Sequence, residues 1–441
     1  MTSSTLQSRL LTHTWPFACA LLAMVPDFAG GVEPHSVEFT VSETAGIRRR
    51  SDVVTAHLDL PHWQATETKI GFRLIALEDR EQKKIANPNP AKANPANAKP
   101  VKAKPARLQT IPVQVHPIVS GDSAKVIVDF IADFQPLETR RYRLEYGPTV
   151  ESRPISGGLT LTELPQEFRV DSGNVVHWAL PRDLRGLLRI AWKEVPYVLA
   201  DSPGLYSIDK NGTETRLHDS IASSAVVSRR GPIATALRWT YPDTTGDKGS
   251  GNKGSGGRVE MEFYRTKSWV HVTWEVDDAS AQIEQLAMGL NLDLDGKETL
   301  IDYGGADFVY TTVRAGQSSL LEAGPTVDGN VPWKVLHGAQ DDMQPLVVSP
   351  QQASSRVFGW VHAMDSKRCT ALAVRDFATS TRDQIRIDGD GHLKLAREFP
   401  DRSSGKKQLE FWMHFVTMPV HIGARTSPRS MQEPLQVRQL D

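Results

Sequence analysis

The sequence predicts an all-β protein, with a small β-barrel domain followed by a large antiparallel β-sandwich of the supersandwich type. Three observations predict it. Apolar and polar residues alternate with a period of two through many short runs, as half-buried strands require. No amphipathic helical pattern extends beyond two or three turns. With 441 residues, the chain exceeds one ordinary core, so two β-rich domains are expected.

The stretch Glu167 to Tyr206 joins the two sets of strands. Phe168 and Val170 alternate with polar residues before the turn Asp171-Ser172-Gly173-Asn174. Val176, Trp178 and Leu180 then share one face, and Val175, His177 and Ala179 the other, which is a hairpin signal. Upstream, Val37, Phe39 and Val41 open a first strand. Gly46 to Arg50 forms a turn with a basic run, and Val53–Leu60 and Ile70–Leu77 follow as strands. Runs at Ile111–Val115, Val126–Phe130 and Tyr142–Tyr146 complete a small domain over 36–150. Within it, 83–107 is built of Lys, Ala, Asn and Pro, a composition that blocks helix and ladder and cannot bury a core.

The second domain is expected over 159–424. Asn211-Gly212 marks a tight turn, and 243–257 is a Gly/Ser-rich loop. The clearest strands are Val259–Phe263, Val270–Val276 and Leu286–Leu294. Further strands are expected at Val357–Ala363, Thr370–Val374 and Leu409–Val416, with an Ile385–Leu395 hairpin around Asp388-Gly389-Asp390-Gly391. A long strand with one apolar face belongs to a large sheet packed on one side. Residues 425–441 are polar and expected to be a loose tail.

The N-terminus has the parts of an export signal over 1–31. Arg9 is a positive flank, Trp15–Val25 a short apolar run, and Ala29-Gly30-Gly31 a cleavage region. A secreted or periplasmic location is therefore expected, with no membrane span, because no other apolar run approaches the roughly 20 residues a span needs. The net charge of −1 gives no global attraction to nucleic acid or anionic lipid. Only Cys19 and Cys369 occur, so removal of the signal leaves no disulfide and no two-cysteine zinc site. Cys369 reads as a small buried hydrophobe.

No GxSxG, P-loop or HExxH motif is present, and the GxGxxG match at 249–254 lies inside the Gly/Ser loop. Trp269, His271 and Glu275 share the face opposite the apolar face of their strand, and Trp412 and His414 share one on a later strand. An exposed face bearing Trp, His and a carboxylate supplies stacking area and hydrogen bonds for a sugar. These positions equally fit a sheet covered on both faces. Asn291, Asp293 and Asp295 also share one face, which admits calcium or sugar hydroxyls as ligands or a solvated strand face. Asp388 to His392 lacks EF-hand spacing and reads as a turn. Arg48, Arg49 and Arg50 offer guanidinium groups for an acidic sugar or for surface carboxylates. The candidate catalytic residues are His271, His414 and Arg49, and the candidate binding residues are Trp269, His271, Glu275 and Trp412. No metal or other cofactor is otherwise expected.

The segments VEFTVSETAGIRRRSDVVT and LETRRYRLEYG resemble the N-terminal β-barrel domain of the exo-rhamnogalacturonan lyase-like family. FRVDSGNVVHW, VEMEFYRTKSWVHVTWEVDD and LAMGLNLDLDG resemble that family's central β-sandwich domain. The resemblance implies a protein acting on acidic pectic polysaccharide by β-elimination. Family members also carry a helical α/α-toroid domain, for which this sequence shows no periodicity, and no catalytic residue of the family maps onto a position here. The expected function is therefore recognition of an acidic polysaccharide or oligosaccharide, as an accessory protein related to lyases. Elimination on a uronate-containing glycan and a purely structural envelope role are the alternatives.

Overall fold

Alternation decides the architecture. Val259, Met261 and Phe263, then Val270, Val272 and Trp274, are buried on one side of two paired strands. The computed structural model describes residues 33–440 apart from 62, 64–69, 78–108, 121–122, 174–175, 220–223, 242–255, 296, 306–308, 326–331, 347–356, 402 and 418–426. The export signal, the Lys/Pro insert and most of the Gly/Ser loop lie outside the described residues. Gly256 and Gly257, expected in that loop, begin a strand.

The large sandwich has two main sheets, antiparallel throughout. One runs Ser224–Arg229, Ala234–Tyr241, Gly256–Tyr264, Trp269–Asp278, Gly405–Thr417, Arg368–Val374, Val357–Met364, Thr299–Gly305, Val309–Val313. The other runs Glu214–Arg216, Gly204–Asp209, Ile283–Asn291, His392–Glu398, Arg382–Asp388, Gln317–Ala323, Trp333–Ala339, Asp342–Pro345. Their facing side chains form one core with Trp239, Phe263, Leu286, Met288, Phe411 and Phe415 near its centre. The hairpin Glu167–Ser172 with Val176–Pro181 belongs to a third sheet, which adds Phe168, Trp178 and Leu180 to the same core. The Asn211-Gly212 turn forms as expected, with Gly212 at φ +77°, a conformation that favours glycine.

The small barrel has its own core of Phe39, Phe130, Tyr142, Leu144 and Tyr146. Two sheets wrap it: Arg49–Asp59, Ser123–Phe134 and Val113–Ser120 in one, and His35–Ser42, Thr139–Gly147, Gly71–Leu77 and Gln109–Ile111 in the other.

Three expectations are corrected. The C-terminal segment is not loose: Ser427–Gln432 is a helix, and Gln436–Gln439 is a strand on the free side of His35–Ser42. Val437 alternates into the barrel core, a signal too short to read from sequence. Arg49 is not on a surface turn. It starts a strand with its side chain 1% exposed, because Glu43 and Asp52 surround it with carboxylate oxygens. The nine-stranded sheet is not packed on one side only, since Trp269, Trp360, Trp412 and Met431 form a second apolar cluster on its other face. The strands between 299 and 345 and the pair Ser224–Arg229/Ala234–Tyr241 carry weaker alternation and were not anticipated.

Candidate functional site

The face of the nine-stranded sheet that turns away from the main core carries the polar chemistry. Register brings it together: His271 lies opposite Glu262 on one neighbour and opposite Trp412 on the other, and Trp269 lies opposite His414. A period of two then places Glu262, Tyr264, Trp269, His271, Glu410, Trp412 and His414 on one face.

An alternating chain of charges runs across this face. Asp129, from the small barrel, accepts hydrogen bonds from Thr55 (2.8 Å) and from the Arg229 guanidinium (3.2 Å). Arg229 also donates to Glu262. His271 bonds Glu262 through Nδ1 and Glu410 through Nε2, both at 2.9 Å. Arg375 donates to Glu410 at 2.9 Å. The imidazole stacks flat on Trp412, at 4.4 Å between centroids and 6° between planes.

This geometry fixes protonation. Burial opposes charge on His271, but the two carboxylates outweigh it and raise its pKa to about 9. Burial likewise opposes charge on Glu262, yet His271 and Arg229 bring it down to about 2. Glu410 is lowered by the same balance, with His271 and Arg375 the opposing charges. Tyr264 donates to Glu262 at 3.0 Å, and burial with that carboxylate holds its phenol well above the usual range. Asp129 is raised by burial despite Arg229.

A cavity of about 320 Å³ opens against this network, between the sheet, the strand Arg49–Asp59 and the C-terminal segment. Its walls include Trp269, His271, Trp412, Tyr264 and Arg375. Ser430, Met431, Pro434 and Leu435 close one side. The C-terminal segment is fastened there twice. Arg49 donates to the carbonyls of Ser430 and Glu433, and Gln432 donates to those of Phe358 and Val374. His57 reaches the rim, and burial, aided by the Arg229 charge, lowers its pKa, so it is neutral at pH 7.

The structure therefore gathers Arg49, Trp269, His271 and Trp412 at one cavity and leaves Glu275 and His414 outside its lining. Glu275 sits further along its strand, paired with Arg258 (2.5 Å) and Lys406 (2.7 Å). His414 is buried edge-on to Trp269, and burial, with His362 and Lys267 nearby, brings its pKa down to about 3. The expected exposed Trp face is covered: Trp269 and Trp412 are 8% and 5% exposed, beneath Met431. Neither ring is a free platform. Arg49 is fully engaged as a clamp.

Asn291, Asp293 and Asp295 are each tied to protein, through the Asp201 carbonyl, Arg368 (2.6 Å) and Ser366 (2.6 Å) respectively. Among the described residues no three His, Cys, Asp or Glu side chains group as metal ligands. Asp129, Arg229, Glu262, Glu410, Arg375 and His57 escaped the sequence reading. Only Glu262 carried a local signal, its alternation beside His271's strand.

No protein-family model and no curated protein sequence matches the chain. Solved structures do match in fold. A protein in glycosyl hydrolase family 38 from Enterococcus faecalis superposes with a TM-score of 0.55 at 9% identity, over 92% of this chain and 47% of that one. An alpha-mannosidase from Enterococcus faecalis V583 gives 0.52 at 9% identity, over 92% and 46%. The chain thus spans about half the length of these proteins. The similarity carries the all-β sandwich fold and does not reach the lyase family named above.

Proposed function

We propose that the protein recognises carbohydrate, taking a unit of an acidic polysaccharide in the cavity beneath the C-terminal segment. The observation that carries this reading is the charge of the lining. Arg49, Lys267, Arg375 and the imidazolium of His271 line it beside Asp52 and Glu262; Glu43 and Glu410 pair with Arg49, His271 and Arg375 from outside the lining, and Arg375 is the most exposed of these cations. A cavity of about 320 Å³ with a few convergent polar groups falls in the range of small-molecule sites. Arg375 engages Glu410 through Nε, and its side chain is 32% exposed, which suits a planar cation to a carboxylate. The likeness in fold to a glycosyl hydrolase family 38 protein and an alpha-mannosidase adds support, since those names denote action on carbohydrate. An exported accessory protein related to lyases fits this reading.

A second reading, elimination at a uronate, is favoured by one observation: His57 lines the same cavity, and burial lowers its pKa. His271 cannot be the base, because two carboxylates hold it protonated.

One experiment separates the readings. The purified protein is passed over immobilised uronate-containing polymers and incubated with the same polymers in solution. Retention without unsaturated products is expected. Growth of their ultraviolet absorbance would establish elimination, and neither retention nor products would sink both readings in favour of a structural role.

A further inference from the structure

The hairpin Glu167–Ser172/Val176–Pro181 takes no part in the cavity described above. Its inner face is core, while its outer face carries Glu167, Arg169, Asp171, His177 and Ala179, and the next strand, Arg189–Trp192, adds Arg189 and Ala191. Two open cavities of about 730 and 660 Å³ lie along this face and share Glu167 and Arg189. Together they form a trough.

Register builds it. Ala179 lies opposite both Arg169 and Arg189, and Ala191 lies opposite His177, so small residues alternate with long ones across the sheet. Glu167 accepts from Arg169 Nε at 2.7 Å and from Arg189 Nη2 at 2.5 Å. That carboxylate fixes two guanidinium planes, which remain 57% and 50% exposed. Asp171 and His177 form a further pair at 2.5 Å. At the far end, Arg182 lies 4.1 Å over the Phe168 ring and donates to the Leu164 carbonyl.

The wall there is a loop of enforced shape. Leu184 and Leu187 have φ of +56° and +66°, rare for such side chains, and both are buried. Such geometry persists only where surroundings over-determine it, and it recurs at ligand clamps. The near end of the trough, at Gly173, adjoins Ser172, which donates to the Arg265 carbonyl at 2.9 Å.

We infer that this trough is a second glycan-binding site, which takes a saccharide chain lengthwise on the opposite side of the main core from the first cavity. The inference rests on the carbohydrate reading of that cavity. The chemistry that selects a glycan is the pairing of charges. Four arginines (169, 182, 185 and 189) alternate with Glu167, Asp171 and Asp183, giving donors and acceptors side by side with little net charge. Vicinal hydroxyls, which both donate and accept, match that array, and the exposed guanidinium groups of Arg169 and Arg189 can take the carboxylates of an acidic chain.

The test is calorimetric titration of the full chain with short and long oligogalacturonides and matched neutral galactan oligomers. Wild type should bind long oligomers more tightly than short ones. The exposed double variant Arg169→Gln/Arg189→Gln should lose about tenfold in affinity for long oligomers and nothing for short ones, with an unchanged thermal melt. His177→Ala serves as the second variant should the double one fail to fold, with the same selective loss. Unchanged affinity for long oligomers in a folded variant, or no gain with length in wild type, would overturn the trough and leave the cavity reading standing. If wild type binds neither series, the trough falls together with that reading.

Discussion

His271 shows how one side chain sets the state of its neighbours. Held between Glu262 and Glu410, its folded pKa is raised from 6.5 to about 9. Its contribution is therefore fully present below pH 6.5 and is lost as pH rises through about 9. His271→Gln should cost about 3 kcal/mol at neutral pH, in the range for breaking a buried ion pair. The gap from wild type should close towards alkaline pH, as read by urea denaturation at several pH values. His414 acts with the opposite sign. Its folded pKa is depressed to about 3, so its contribution is full above 6.5 and is lost as pH falls towards 3. His414→Asn should flatten the acid limb of the stability profile, with His57 and His116, both also lowered, and the lowered carboxylates such as Glu262 and Glu410 accounting for the slope that remains. A glycine completes the face by yielding space: a Cβ on Gly304 would meet the Trp360 ring at 2.0 Å. Gly304→Ala should displace that indole and destabilise the fold by about 1–3 kcal/mol, visible as a lower melting temperature.

Among the elements, strands with strict alternation were legible and strands with mixed composition were not. Trp269–Asp278 and Glu167–Ser172 announced themselves because one face is apolar along most of its length. Thr299–Gly305 hid because its buried residues, Thr299, Ile301, Asp302 and Tyr303, include polar side chains and do not alternate, whereas Arg368–Val374, buried throughout, was legible over Thr370–Val374 from its apolar run. The site was half legible for a related reason. Period two correctly grouped Trp269 with His271, but it cannot say what covers a face, so the lid formed by Ser427–Gln432 went unseen. Partners such as Asp129 and Arg229 are brought in by tertiary packing, with a sequence separation of 100 residues. The helix itself is short, and it holds through side chains rather than its own turns. Gln432→Ala should remove the hydrogen bonds to the Phe358 and Val374 carbonyls, cost about 1–3 kcal/mol, and expose the C-terminal segment to limited proteolysis before global unfolding.

At the scale of the whole molecule, barrel and sandwich keep separate cores joined by polar stitching. Gln114 of the barrel accepts from the backbone N–H groups of Ile233 and Ala234 and donates to the Ala234 carbonyl at 2.9 Å. The Asp129–Arg229 pair lies at the same seam. Because its charges are buried, this seam should be screened little by salt, whereas recognition of an acidic glycan at the partly open cavity should weaken as salt rises. Retention on immobilised polymer at low and high salt, beside melts in the same buffers, would check the contrast: elution should shift while melting temperature stays nearly constant.

The pairing of Gln436–Gln439 with His35–Ser42 sets an order of assembly. A nascent chain offers its first strand long before the last one exists. At ribosomal speeds the wait is on the order of 20–80 s. During that interval the barrel has an unsealed flank, open to mispairing with another copy. Whatever protects the free side of His35–Ser42 during synthesis has to act until Gln436–Gln439 has emerged.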